Sequence, residues 1–181
     1  MYDIDYVFDE MSLFHIEELF NISDLQDNPT RLATGKDIKI SPDLTFQSGQ
    51  SQAAGIVFRD LEWTQPTPEP NFMLKDMQKK YGKNIKLYTW YFLKYTVGSS
   101  AIEHMHKAFN PNGDYSGWST ITMLSNPSEY MGGELVIHTR DKEEEIVLKK
   151  GQTIRINDDV VHSVNRVDWG ERRTLIHWFR E

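Results

Sequence analysis

The spacing of apolar and polar positions changes character at Gly82. Before it, Leu13, Ile16, Leu19 and Phe20 recur at helical intervals, so Phe8 to Leu25 predicts a helix, with Ser12 as its capping residue. Asn71 to Tyr81 predicts a second helix. Its apolar positions are Phe72, Leu74 and Met77, and Gly82 stands at its C-terminal end. Between the two, Asp27 to Ser51 is polar and turn-rich, and Ile56-Val57-Phe58 reads as a short strand. Thr64 to Pro70 holds three prolines in seven residues and reads as a loop.

Beyond Gly82 the chain becomes aromatic and β-branched. Leu87 to Val97, Trp118 to Leu124, Glu134 to Thr139, Ile146 to Leu148, Thr153 to Ile156, His162 to Val167 and Thr174 to Phe179 predict strands. Turn signals at Gly98-Ser99-Ser100, Asn126-Pro127-Ser128 and Gly132-Gly133 separate several of them. Many short strands with turns between them predict a mainly β antiparallel barrel or sandwich, with the N-terminal helices covering one sheet. No internal repeat or composition break divides the chain. Residues 1–181 are expected to form one domain, with helical support over about 1–82 and a β core over about 83–181.

Composition narrows the function classes. The chain has 181 residues, 39% of them hydrophobic, enough for a sizeable core. It has no cysteine, which excludes disulfides, thiolate metal sites and cysteine nucleophiles and fits a reducing, cytoplasmic setting. The N-terminal stretch Met1 to Asp5 is acidic, so no signal peptide is expected, and no apolar run approaches the ~20 residues of a membrane span. A net charge of −7 with scattered acids argues against a general nucleic-acid or anionic-membrane binder.

The candidate chemistry lies in the second half. His104 and His106 stand at i and i+2, a spacing that places both imidazoles on one face of a strand. His162 follows the Asp158-Asp159 turn and opens a further strand, from which it can complete one face of a metal's coordination sphere. The competing reading is a pair of solvated loop-edge histidines. On a regular last strand Arg172, Thr174, Ile176 and Trp178 share a face. An inward arginine calls for an anionic partner, such as a bound carboxylate in a barrel mouth; the bland alternative is a surface arginine stacked on an aromatic. Of the other histidines, His15 reads as solvated or capping, His138 as a satisfied strand-end residue, and His177 as structural, since it faces away from Arg172 and Trp178.

Several segments in order carry a resemblance. These are Lys94-Tyr95-Thr96, His104-Met105-His106, Thr120 to Leu124, Gly132-Gly133-Glu134-Leu135 and Gly151-Gln152-Thr153-Ile154. They continue with His162, Gly170-Glu171-Arg172-Arg173-Thr174 and Ile176-His177-Trp178-Phe179. Together the span from about Leu87 to Phe179 resembles the double-stranded β-helix (jelly-roll) core of iron(II)- and 2-oxoglutarate-dependent dioxygenases, most of all the prolyl 4-hydroxylase branch. The loop Asn110 to Asp114 resembles the one that follows the metal motif in hypoxia-sensing prolyl hydroxylases. The resemblance implies that His104 and His162 ligate iron(II), and that Arg172 pairs with the distal carboxylate of 2-oxoglutarate, helped by Thr174 and the Tyr95 phenol. Trp178 then packs near the site. Arg172 is chosen over Arg173 because it lies two residues after Gly170 and shares the parity of Trp178. The resemblance further implies hydroxylation of an organic substrate, a small molecule or a peptide such as a prolyl peptide, with succinate and carbon dioxide as co-products and ascorbate as an accessory reductant.

The departure is His106, which stands where the family has an aspartate. Two histidines and a carboxylate are the usual set, and a histidine brings no negative charge. Four readings follow. The site is an active three-histidine centre; or Asp114 supplies the carboxylate; or the barrel binds metal and acid without turnover; or the sequence carries a substitution at 106. Glu103 is a poor substitute, because it should face away from His104. A cupin-like three-histidine dioxygenase that uses no keto acid is the remaining class, and Arg172 argues against it.

Overall fold

A computed structural model of the chain describes residues 2–22, 54–57, 71–106 and 117–180. The polar stretch Asp27 to Ser51, the Thr64 to Pro70 loop, the Asn110 to Asp114 loop and Phe58 lie outside them. The elements in chain order are β1 (Tyr2–Tyr6), α1 (Glu10–Ile22), β2 (Ala54–Val57), α2 (Asn71–Tyr81), β3 (Lys86–Tyr95), β4 (Ala101–His104) and β5 (Gly117–Met123). After a 3-10 turn at Pro127–Glu129 come β6 (Tyr130–Gly132), β7 (Leu135–His138), β8 (Glu143–Ile146), β9 (Gln152–Asn157), β10 (Val161–Val164), β11 (Val167–Gly170) and β12 (Arg172–Arg180).

The strands form a six-stranded sheet ordered β1-β9-β5-β12-β3-β2, a four-stranded sheet ordered β4-β10-β7-β8, and a two-stranded ribbon β11-β6. Every recorded pairing is antiparallel. Two apolar layers follow from strand alternation. Ile121, Ile154, Ile156 and Ile176 of the large sheet pack with Leu135, Ile137, Ile146 and Val164 of the small one. The opposite face of the large sheet presents Trp90, Phe92, Trp118, Leu175 and Phe179 to Ile16 and Phe20 of α1 and Met73 and Met77 of α2. This is the jelly roll with helices on one sheet that the sequence predicts. The central strand β12 is buried on both faces, which is why it reads as a nearly unbroken apolar run.

Three sequence expectations are corrected. The cap of α1 is Asp9, whose carboxylate accepts from the Ser12 amide at 2.8 Å; the Ser12 hydroxyl instead donates to Asp76 of α2 at 2.6 Å. The strand expected over His162 to Val167 is two strands, since pairing to β7 ends at Val164 and Val167 pairs with Gly132. The region before Gly82 is more than helical support, because β1 and β2 form the two edges of the large sheet. In β1 the acidic Asp3 and Asp5 alternate with Tyr2, Ile4 and Tyr6, which suits an exposed edge.

Candidate active site

His104 and His162 face each other across β4 and β10 as register partners. β4 ends at His104, so His106 does not reach the site by regular strand alternation as the spacing suggests. The turn beyond β4 brings it in nevertheless. Ring centroids lie 4.3 Å apart for His104 and His162, 4.7 Å for His106 and His162, and 5.5 Å for His104 and His106. One ligand atom from each falls within 4.8 Å of the others. Such a convergence of three nitrogens can hold a metal ion on one side and leave its other side open.

The surroundings keep the His106 and His162 rings neutral and aimed. Burial pushes His162 down to about 3, with His104 adding to the effect. Burial likewise holds His106 well below the usual 6.5, helped by His162 and His104. A neutral imidazole has a lone pair to give. The Nδ1 of His162 lies 3.0 Å from the Val160 carbonyl, which only accepts, so Nδ1 carries the proton and Nε2 the lone pair. His106 has its Nδ1 2.9 Å from the Ser119 hydroxyl and its ring stacked on Trp178 at 4.5 Å.

Arg172 is the other unusual residue. Its side chain is 1% exposed, and its guanidinium lies 5.0 Å from the centre of the Tyr95 ring, its register partner on β3. Burial works against its charge and lowers its pKa, while Tyr95, Tyr130 and Glu134 offset part of that effect. Among the described residues its Nε and Nη2 have no hydrogen-bond partner, and neither has the buried Oγ1 of Thr174 on the same face. Orphaned donors on a buried cation are costly unless an anion meets them. Gly133 makes room for this side chain: a Cβ there would stand 3.0 Å from the Arg172 Cδ. Arg173, by contrast, is bonded to the Glu129 carboxylate at 3.1 Å and its backbone amide to the Ser125 hydroxyl at 2.9 Å. The strand parity read from the sequence thus separates the two arginines as expected.

No protein-family model matches the chain. Among curated proteins, it is 32% identical over 102 residues to a PKHD-type hydroxylase of Prochlorococcus marinus, across 56% of this chain and 46% of that one. It is 35% identical over 92 residues to a PKHD-type hydroxylase of Picosynechococcus sp., across 51% of this chain and 42% of the relative. Over these stretches the chain is similar to the PKHD-type hydroxylases. It spans about half the length of these relatives. Among solved structures, it resembles an oxidoreductase of the 2OG-Fe(II) oxygenase family from Burkholderia pseudomallei, with a TM-score of 0.67 and 17% identity over 99% of this chain and 84% of that one. It also resembles a prolyl-4-hydroxylase from Pseudomonas putida, with a TM-score of 0.62 and 19% identity over 99% of this chain and 92% of that one. The fold is that of the 2OG-Fe(II) oxygenases.

The residues at this site fit the groups that the fold family implies. Three imidazole nitrogen donors suit iron(II), and the Arg172 Nε and Nη2 donors with the Thr174 hydroxyl suit a carboxylate. Glu103, as expected, turns away; it is exposed and lies 3.9 Å from His138. Asp114 lies outside the described residues. His177 is buried in the helix-facing layer, its ring 6.2 Å from that of Phe8, and His15 is exposed beside Glu18. Sequence reasoning passed over Ser119 and treated Asp158 only as a turn residue. The signal for Ser119 is its parity: it shares the inward face of β5 with Ile121 and Met123, where a polar residue is out of place unless something inside needs it.

Proposed function

We propose that the chain is an iron(II)- and 2-oxoglutarate-dependent dioxygenase that hydroxylates an organic substrate and releases succinate and carbon dioxide. The observation that carries this reading is the buried Arg172 guanidinium, whose Nε and Nη2 lack partners among the described residues, on the same barrel interior as the three histidines. A three-histidine dioxygenase of the cupin type has no use for a carboxylate clamp, so Arg172 favours the keto-acid reaction. His104, His106 and His162 would hold iron(II), which would supply the Lewis-acid and oxygen chemistry of the reaction. The protein's own residues do the rest. Arg172 and Thr174 hold the distal carboxylate, Tyr95 walls that end, Trp178 keeps the His106 ring in place, and the apolar interior excludes water.

A prolyl residue in a peptide is the proposed substrate, after the Pseudomonas putida prolyl-4-hydroxylase whose fold the chain shares, with a free small molecule as the alternative. A cytoplasmic location and ascorbate as accessory reductant complete the reading; no described helix is long and apolar enough to cross a membrane. The test is succinate release from protein supplied with iron(II), 2-oxoglutarate, ascorbate and proline-containing peptides. Succinate that depends on iron and oxygen and disappears in Arg172→Ala supports the proposal. One observation favours a second reading, a barrel that binds metal and acid without turnover: among the described residues, the histidine cluster includes no carboxylate. Metal and acid binding with no succinate from any peptide selects it.

A further inference from the structure

The turn between β9 and β10 backs two of the three histidines. Its Val160 carbonyl holds the Nδ1 of His162, and its Asp158 carboxylate stands 4.0 Å from the Nδ1 of His106. That nitrogen is the one already bonded to Ser119, so Asp158 and Ser119 meet the same edge of the ring. Its location depends on Gly117. The Asp158 amide donates to the Gly117 carbonyl at 3.1 Å, and a Cβ on Gly117 would fall on Asp158 Oδ2. Side chains of Asp158 and Ser119 therefore converge on one imidazole nitrogen, while Trp178 covers the ring face.

We infer that Asp158 is a positioning residue of the metal site: beside the Nδ1 of His106 it supplies the negative charge that the ligand set itself lacks. This inference rests on the proposed function. A hydroxyl can give or take a proton, so Ser119 alone leaves the His106 tautomer open. A carboxylate near Nδ1 makes that position favourable for the proton, which leaves the lone pair on Nε2. The same negative potential favours a cation held by the ring. Outer partners of this kind are worth roughly 10- to 100-fold in metal affinity. The charge thus sits one group further from the metal than a ligating carboxylate would place it.

Zinc titration of wild type, His104→Ala, Asp158→Asn and Asp158→Ser tests this. Asn and Ser both suit a turn, and melting of the metal-free proteins checks that the fold is kept. Histidine ring proton spectra of the zinc-loaded proteins supply the second readout. The expected result is a roughly 10- to 100-fold weaker zinc affinity in both Asp158 variants, with a shifted His106 Nδ1–H resonance and an unmoved His162 resonance. Wild-type affinity in the Asp158 variants overturns the inference and leaves the proposed function standing, provided that His104→Ala lowers affinity. Equal shifts of both resonances, or a collapsed melting temperature in both variants, assign Asp158 to the turn's architecture and overturn the inference as well. A wild type that binds no zinc or iron overturns the proposed function and this inference with it.

Discussion

His104 and His162 are register partners on adjacent antiparallel strands, and their rings lie closer together than any other pair in the cluster, at 4.3 Å. Neither strand can shift by one residue without turning its imidazole to the opposite face. The site is thus built into sheet register. His162→Ala should remove most bound iron, and so should His104→Ala, with little change in the metal-free fold. Iron content after anaerobic reconstitution checks this. Equal iron in wild type and His162→Ala would remove His162 from the site.

Arg172→Ala should weaken 2-oxoglutarate binding by on the order of 2–3 kcal/mol, because a carboxylate is left unpaired in a buried setting. Arg173→Ala should change it far less, since that guanidinium is committed to Glu129 and Ser125. Calorimetric titration of the two variants compares them directly. A larger loss in Arg173→Ala would mean that the acid is held on the other face of β12.

The histidine cluster also sets a pH dependence for the metal-free protein. His106 and His162 are both depressed when folded, His162 to about 3. In the unfolded chain they take up protons as pH falls through about 6.5, while the folded chain resists. Their contribution is fully present above that pH and is lost progressively toward pH 3. Each histidine in this window costs about 1.4 kcal/mol per pH unit. Urea unfolding at pH 7 and pH 5 should show the loss, and His162→Ala should flatten the slope. An unchanged slope would mean that other groups govern acid unfolding.

The strand pattern after Gly82 was legible because alternation there is enforced by two buried layers, and the helix pair because apolar positions recur at helical spacing. Elements that bury little left weak signals. β1 was missed because its acids mask an exposed edge, and β6 and β11 because three or four residues carry no period. The site was legible to the extent that it depends on strand parity, as at Arg172 and Thr174. His106 reaches the cluster beyond the end of β4, and Ser119 and Asp158 come from elements far from it in sequence. Ser119 leaves only the parity of a polar residue on an inward face, and the other two contacts leave no local pattern to read.

Phe92 separates scaffold from site. It is fully buried on the helix-facing side of β3, with Phe20 of α1 5.3 Å away and Trp90 5.8 Å away. Phe92→Ala should destabilise the fold by about 3–5 kcal/mol through lost burial and a cavity. It should leave zinc affinity at temperatures below its melting point close to wild type, because Tyr91 and Leu93, its strand neighbours, pack against the other layer. Thermal unfolding and zinc titration on the same sample check both halves.

His106→Asp is the sharpest test of how this site differs from the usual one. In a two-histidine, one-carboxylate set the aspartate brings a negative charge directly to the metal. The substitution should therefore tighten iron binding and raise or create succinate formation. It also removes the ring that Trp178 stacks on and Ser119 bonds, and it leaves Asp158 beside a second carboxylate. Two neighbouring carboxylates resist sharing ionisation until a cation arrives. The gain should thus be partial in His106→Asp and larger in His106→Asp with Asp158→Asn, where the charge count is restored without repulsion. If Asp114 already supplies a carboxylate, His106→Asp should do little and Asp114→Ala should abolish turnover. A wild type that makes succinate and loses it in both His106→Asp and the double variant would mean that the three-histidine set is itself what the reaction requires.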